Sequence, residues 1–197
     1  MISIAVIGPG AVGGTLAAWL AQNPDHAVTV CVRTPFEALA VQTPEGPINA
    51  SPRVATSPES LAPVDWVLVT TKTYDTDAIW TWLDALVGPQ TRVAILRNGV
   101  EHTAPFAGRI AAERLVPAVV DIPAERSAPG RVLQRRNGWV KVAADPAGES
   151  FAALFAHTPI ALEVVDDFVT QAWKKLALNC AGAVNALLLK PAGIAHD

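Results

Sequence analysis

Ile2-Ser3-Ile4-Ala5-Val6-Ile7 runs straight into Gly8-Pro9-Gly10-Ala11-Val12-Gly13 at the start of the chain, and this stretch decides the fold. The first six residues are apolar and rich in β-branching, as a buried strand requires. The next six read G-x-G-x-x-G and open an alanine-rich helical stretch from Ala11 to Gln22. A strand, a glycine turn and a helix in that order form a dinucleotide-binding fingerprint, which a glycine trio alone does not. Gly8 permits the tight turn, Gly10 lets the backbone approach a pyrophosphate, and Gly13 lets the helix lie close to the strand. The N–H groups at the start of the helix, those of Ala11, Val12 and Gly13 among them, have no partner within it. Together with the positive dipole end they suit phosphate.

A second strand, Ala27 to Val32, ends at Arg33, twenty residues past Gly13. A carboxylate near that point would accept hydrogen bonds from the ribose 2′-OH of NAD. Here a cation stands there, and no carboxylate follows until Glu37. The planar fork of an arginine suits the 2′-phosphate of NADP, so the expected cofactor is NADP(H). A solvent-exposed arginine at a strand end is the alternative.

The rest of the chain alternates strand and helix. Expected strands are Asp65–Thr70, Arg92–Leu96, Leu115–Val120 and Ile160–Val165, with short extended pieces at 38–43 and 48–55 around the turn Pro44-Glu45-Gly46-Pro47. Helical spacing covers Thr76 to Leu86, with Ile79, Leu83 and Leu86 inward, and Ser150 to Ala156. Asn137-Gly138 separates Val132–Gln134 from Trp139–Val142 and predicts a hairpin at the sheet edge. The fold class is therefore α/β, a Rossmann-type, mostly parallel sheet with flanking helices and a mixed edge. In such sheets ligands bind at the carboxyl ends of the strands. The polar residues at those ends are Arg33, Lys72 and Asn98.

A long helix starts near Asp166 or Asp167, either of which can cap it, and runs to about Leu189, where Pro191 and Gly193 stop it. Lys175 and Asn179 are four apart and share a face. A lysine and an asparagine on a largely apolar helix need partners. Spacing alone fits equally an amphipathic helix whose Lys174 and Lys175 face water.

The 197 residues carry a net charge of −3 and are 51% hydrophobic, which allows a large core and argues against nucleic-acid binding. Leu176–Leu189 is too short and too polar to span a membrane, and no targeting segment is legible. Cys31 and Cys180 read as buried free thiols of a cytoplasmic protein. His26, His102, His157 and His196 lack metal-ligand spacing, so no metal is expected.

Taken together, Gly8-x-Gly10-x-x-Gly13, Arg33, Thr71-Lys72, Asn98-Gly99 and Trp173-Lys174-Lys175-Leu176-x-x-Asn179 resemble the ketopantoate reductase family, in its order and near its spacing. The resemblance implies residues 1–165 as an NADP-binding Rossmann-type domain and 166–197 as the beginning of a C-terminal helical domain that this chain does not complete. It implies reduction of a small 2-keto acid, ketopantoate-like, by hydride transfer from NADPH. It makes Lys175 the general acid, places Asn179 on substrate, and has Asn98 hold the nicotinamide and the lysine while Lys72 holds cofactor. Where the family usually has a second asparagine, this chain has Ala183, and Asn185 lies about 200° away around the helix. The rival readings are a non-catalytic NADP(H)-binding module and a related hydroxyacid or opine-type dehydrogenase. Oligomeric state is not legible, and a homodimer stays open.

Overall fold

The fingerprint strand sits at the centre of the molecule. The computed structural model describes residues 1–75 and 77–187. Its strands are β1 (Ile2–Ile7), β2 (His26–Cys31), β3 (Leu39–Thr43), β4 (Gly46–Ala50), β5 (Arg53–Ala55), β6 (Trp66–Val69), β7 (Arg92–Leu96), β8 (Leu115–Asp121), β9 (Ala124–Ala128), β10 (Arg131–Gln134), β11 (Trp139–Ala143) and β12 (Ala161–Val165). Its helices are α1 (Ala11–Leu20), α2 (Trp80–Leu86), α3 (Pro146–Ala153) and α4 (Phe168–Leu187).

One large sheet runs β12-β11-β8-β7-β6-β1-β2-β5. Every pairing in it is parallel except that of β8 with β11. The chain leaves β1 toward β2 and returns to β6 on the opposite side of β1. The carboxyl ends of β1 and β6 therefore flank the point where strand order reverses, which is where such sheets bind ligands. Alternate residues of β1 serve two cores. Ile4 and Val6 pack with α1 and α3, whereas Ala5 and Ile7 pack with Ile79, Leu83 and Leu86 on the α2 side. The three inward positions read from the α2 sequence are all buried.

Several expectations change. The Asn137-Gly138 hairpin does not form: β10 and β11 belong to different sheets. Gly138 does take the left-handed conformation that Asn-Gly favours, at φ +74°. It uses that turn to carry the chain from one sheet to the other, directly onto β8. The Gln134 side chain holds the crossing, donating to Arg136 O and Asn137 O, each at 3.1 Å. The hairpin comes one element earlier, between β9 and β10, through Pro129-Gly130. Its first strand, Ala-Glu-Arg-Ser-Ala, lacks the alternation that marks a half-buried strand. This hairpin joins the β3–β4 hairpin in a second sheet, β4-β3-β10-β9, which lies over α1. The mixed edge of the large sheet arises instead from β8 and β11.

Helix α3 begins four residues earlier than expected. Asp145 caps it, its Oδ1 accepting from Ala147 N and Gly148 N at 2.9 and 2.7 Å, with Pro146 at the first helical position. Two short 3-10 turns, Thr73–Asp75 and Asp77–Ile79, precede α2 in place of a continuous helix. Thr76, the expected start, lies outside the described residues. Asp167, one of the two candidate caps, accepts from Thr170 N at 3.1 Å. Cys31 is buried as expected but Cys180 is exposed on α4. The expected helix stop at Pro191 and Gly193 lies outside the described residues, as do the side chains of Ala183 and Asn185. Among the described residues no helix is long and apolar enough to cross a membrane.

Candidate active site

The glycine turn is built on contacts between β1 and β6. Gly8 has φ +80°, and a Cβ there would strike Thr71 Cγ2. Thr70 Oγ1 lies 3.0 Å from Ile7 O and 2.8 Å from Gly8 O, so its hydroxyl fastens the turn to the neighbouring strand. A Cβ on Gly13 would overlap that same oxygen. Gly10 differs: the nearest atom to a Cβ there is Gly8 O at 3.8 Å, so nothing in the protein fills that space. Gly10 also leaves α1 without a side-chain cap, and the N–H groups of the first turn stay open.

This turn forms one wall of a cleft of about 650 Å³. Gly8, Gly10 and Ala11 line it, with Arg33 at the end of β2 and Lys72 beyond β6. Sequence reasoning missed Arg126 and Phe36, which line it from the second sheet and the β2–β3 connection. Val12 and Gly13 stand behind it: Val12 packs on the core, and Gly13 serves the close approach of α1 to β6. Arg33, Lys72 and Arg126 are all exposed, as cations that meet a ligand phosphate would be.

A second, smaller hollow of about 270 Å³ lies by the end of β7, lined by Thr73, Arg97, Asn98, Glu101, His102 and Leu176 among others. Arg97 is buried; its Nη2 donates to Thr71 Oγ1 at 2.7 Å, and its guanidinium lies over the Phe106 ring. This ties the end of β7, which lines the smaller hollow, to Thr71, which lines the larger cleft. His102 is also buried, with Nε2 2.9 Å from Arg97 O and its ring edge-on to Phe168 of α4. Facing a carbonyl, that nitrogen carries the proton. Burial lowers the His102 pKa, opposed by the backbone around Arg97 and Val100 and reinforced by the Arg97 charge.

Helix α4 meets the sheet along one polar stripe. Gln171 Oε1 accepts from Lys141 Nζ of β11 at 3.2 Å. One turn on, Lys175 Nζ donates to Asp121 Oδ1 of β8 at 2.9 Å. A further turn on, Asn179 Nδ2 donates to Asn98 Oδ1, just past β7, at 3.3 Å. Residues four apart on a helix stand on one face, so β11, β8 and the end of β7 receive successive residues of the stripe. Lys175 and Asn179 therefore have the partners their setting demands. Lys174 and Trp173 are exposed.

Asp121 is the site residue that sequence reasoning passed over. The strand-end rule that picked out Arg33, Lys72 and Asn98 reaches it too, since it closes β8. Burial alone would raise its pKa, but the Lys175 hydrogen bond and the charges of Lys175 and Arg136 outweigh this and hold it below the usual carboxylate range.

The family model described as ketopantoate reductase PanE/ApbA matches residues 4–146. The chain belongs to the ketopantoate reductase family. It is 89% identical over its full 197 residues to the 2-dehydropantoate 2-reductase of Caulobacter vibrioides, of which it covers 68%. It is 35% identical over 183 residues to that of Mycobacterium tuberculosis, covering 89% of this chain but 60% of that protein. The crystal structure of 2-dehydropantoate 2-reductase from Geobacter metallireducens superposes with a TM-score of 0.88 at 27% identity, over 96% of this chain and 67% of the other. The chain thus spans about two thirds of these ketopantoate reductases.

Proposed function

We propose that the protein is an NADPH-dependent reductase of a small 2-keto acid, with 2-dehydropantoate as the substrate and pantoate as the product. The observation that supports this reading is the stripe on α4: one helix face carries Lys175 to Asp121 at the end of β8 and Asn179 to Asn98, which lines the smaller hollow past β7. The residues fit the cofactor. Gly10 leaves a space that no protein atom fills, the open N–H groups of α1 face phosphate chemistry, and Arg33 with Lys72 supplies cations for the 2′-phosphate.

When bound, the nicotinamide supplies a hydride from C4 to the keto carbon. The chain's own part is to hold the ketone and to deliver a proton to its oxygen. Lys175 Nζ donates that proton as the C–O double bond becomes an alkoxide and then an alcohol, leaving a neutral amine. Asn179 binds substrate and Asn98 steadies the nicotinamide side, their mutual hydrogen bond fixing both. Residues 1–165 then form the cofactor domain and the segment from 166 the beginning of the helical one. We place the reaction in the cytoplasm.

The test is a screen of NADPH oxidation against several 2-keto acids, with the protein carried to the length of its relatives. Turnover of 2-dehydropantoate above the other acids is expected. Cofactor binding with no turnover of any acid overturns the reading in favour of a binding module.

A further inference from the structure

Lys175 is not held by its own helix. Its ammonium reaches across to β8 and meets Asp121 Oδ1 at 2.9 Å, with 18% of the lysine side chain and 24% of the aspartate side chain exposed. The other carboxylate oxygen, Oδ2, accepts from Arg136 Nη2 at 3.0 Å, but that arginine side chain is 62% exposed and its pull is screened. Trp139 stands directly opposite Asp121 in the β8–β11 pairing, and its ring centre lies 5.5 Å from Lys175 Nζ. The ammonium is thus fixed on one side by a carboxylate and on another by an aromatic face.

We infer that Asp121 is the positioning residue for Lys175, aiming its ammonium at the ketone oxygen. This rests on the general-acid reading given above and extends it. A lysine side chain has many rotamers, and a proton donor must lie within hydrogen-bond reach of the oxygen it serves. An ammonium has three donors. Asp121 engages one, which selects the rotamer and leaves two for the substrate. Because β8 is a central strand, this anchor is rigid, whereas α4 has only Ala172 buried among its described residues. The strand, rather than the helix that carries the lysine, thus sets where the proton sits. A displacement of about an ångström in such a group can cost a hundredfold in rate.

The experiment is a double-mutant cycle in the protein at the length of its relatives, with Asp121→Asn, Asp121→Glu and Lys175→Ala read for kcat, KM, NADPH affinity and thermal melting. Asp121→Asn is expected to lower kcat by about 10- to 100-fold with NADPH affinity unchanged. Asp121→Glu, which keeps the charge, should recover most of that loss. In the Lys175→Ala background Asp121→Asn should add less than about twofold, because it acts only through the lysine. If Asp121→Asn fails to fold, Asp121→Glu carries the test, since its residual defect must likewise vanish when Lys175 is absent. An undiminished kcat in Asp121→Asn, or a loss that persists in full without Lys175, overturns the inference. If Lys175→Ala itself keeps full kcat, the general-acid reading falls and the inference falls with it. An inactive Lys175→Ala beside a fully active Asp121→Asn overturns only the inference.

Discussion

The two ends of the candidate site are made in different ways. The nucleotide end is built from backbone: its decisive residues are glycines, the open N–H groups of α1 and a turn pinned by Thr70. The end proposed for the keto acid is built from side chains that reach between elements, Lys175 to Asp121 and Asn179 to Asn98. A backbone site tolerates almost any neighbour but no added atom. A side-chain site tolerates added atoms at its rim but not the loss of a partner. The consequences of mutation should therefore be opposite at the two ends.

The largest effect expected at the nucleotide end comes from adding one methyl group. Gly10→Ala places a Cβ whose nearest contact beyond its chain neighbours is Gly8 O at 3.8 Å, yet in the path of the pyrophosphate. NADPH affinity should fall by about a hundredfold, roughly 2.7 kcal/mol, with an unchanged melting temperature. Gly13→Ala should do the reverse. Its Cβ would meet Thr70 Oγ1 and lie 3.0 Å from Gly8 O, so stability drops by about 1–3 kcal/mol before binding is affected. Calorimetric titration and thermal melts of the two variants separate these outcomes. Equal loss of stability in both would mean that the loop is only a structural turn and would break the comparison.

That contrast also explains what could be read beforehand. A backbone site announces itself as a local pattern, since strand, glycines and helix are consecutive. Lys72 and Asn98 were singled out as strand ends, whereas helix spacing left the Lys175–Asn179 pair open and the family resemblance singled it out. Asp121 stands at a strand end as well and was passed over; its pairing with Lys175 depends on α4 folding back over β8, 54 residues later. The second sheet was hidden for a different reason. The residues of β9 pair through their backbones while Glu125, Arg126 and Ser127 face water, so hydrophobic periodicity carries no signal there. Arg126 entered the cleft unannounced for that reason.

Arg126 sharpens the next test. Arg33→Ala should weaken NADPH binding by about 1.5 kcal/mol, at the lower end for charge-assisted hydrogen bonds because Arg33 is exposed. NADH binding should hardly change. Both cofactors titrated against Arg33→Ala and Arg126→Ala decide which cation reads the 2′-phosphate. If Arg126→Ala alone abolishes the preference for NADPH, the phosphate site belongs to the small sheet and not to the end of β2.

The smallest effect belongs to His102, at the keto-acid end. His102 is 6% exposed, and its ring donates to Arg97 O beside Asn98 and packs edge-on against Phe168 of α4. Burial lowers its pKa below the unfolded value near 6.5. Below that value the unfolded chain binds a proton that the folded chain resists. Stability supplied by the neutral ring is thus fully present above about pH 6.5 and is lost as pH falls through the folded pKa, by at most about 1.4 kcal/mol per pH unit. The displaced carboxylates, Asp65, Asp121, Glu125 and Asp167, are all lowered and so titrate beneath this window. Melting temperatures measured between pH 7 and 5 should therefore fall more steeply in the parent than in His102→Gln, which has no proton to gain. Identical pH slopes in parent and variant would mean that His102 only fills space between the β7 turn and α4.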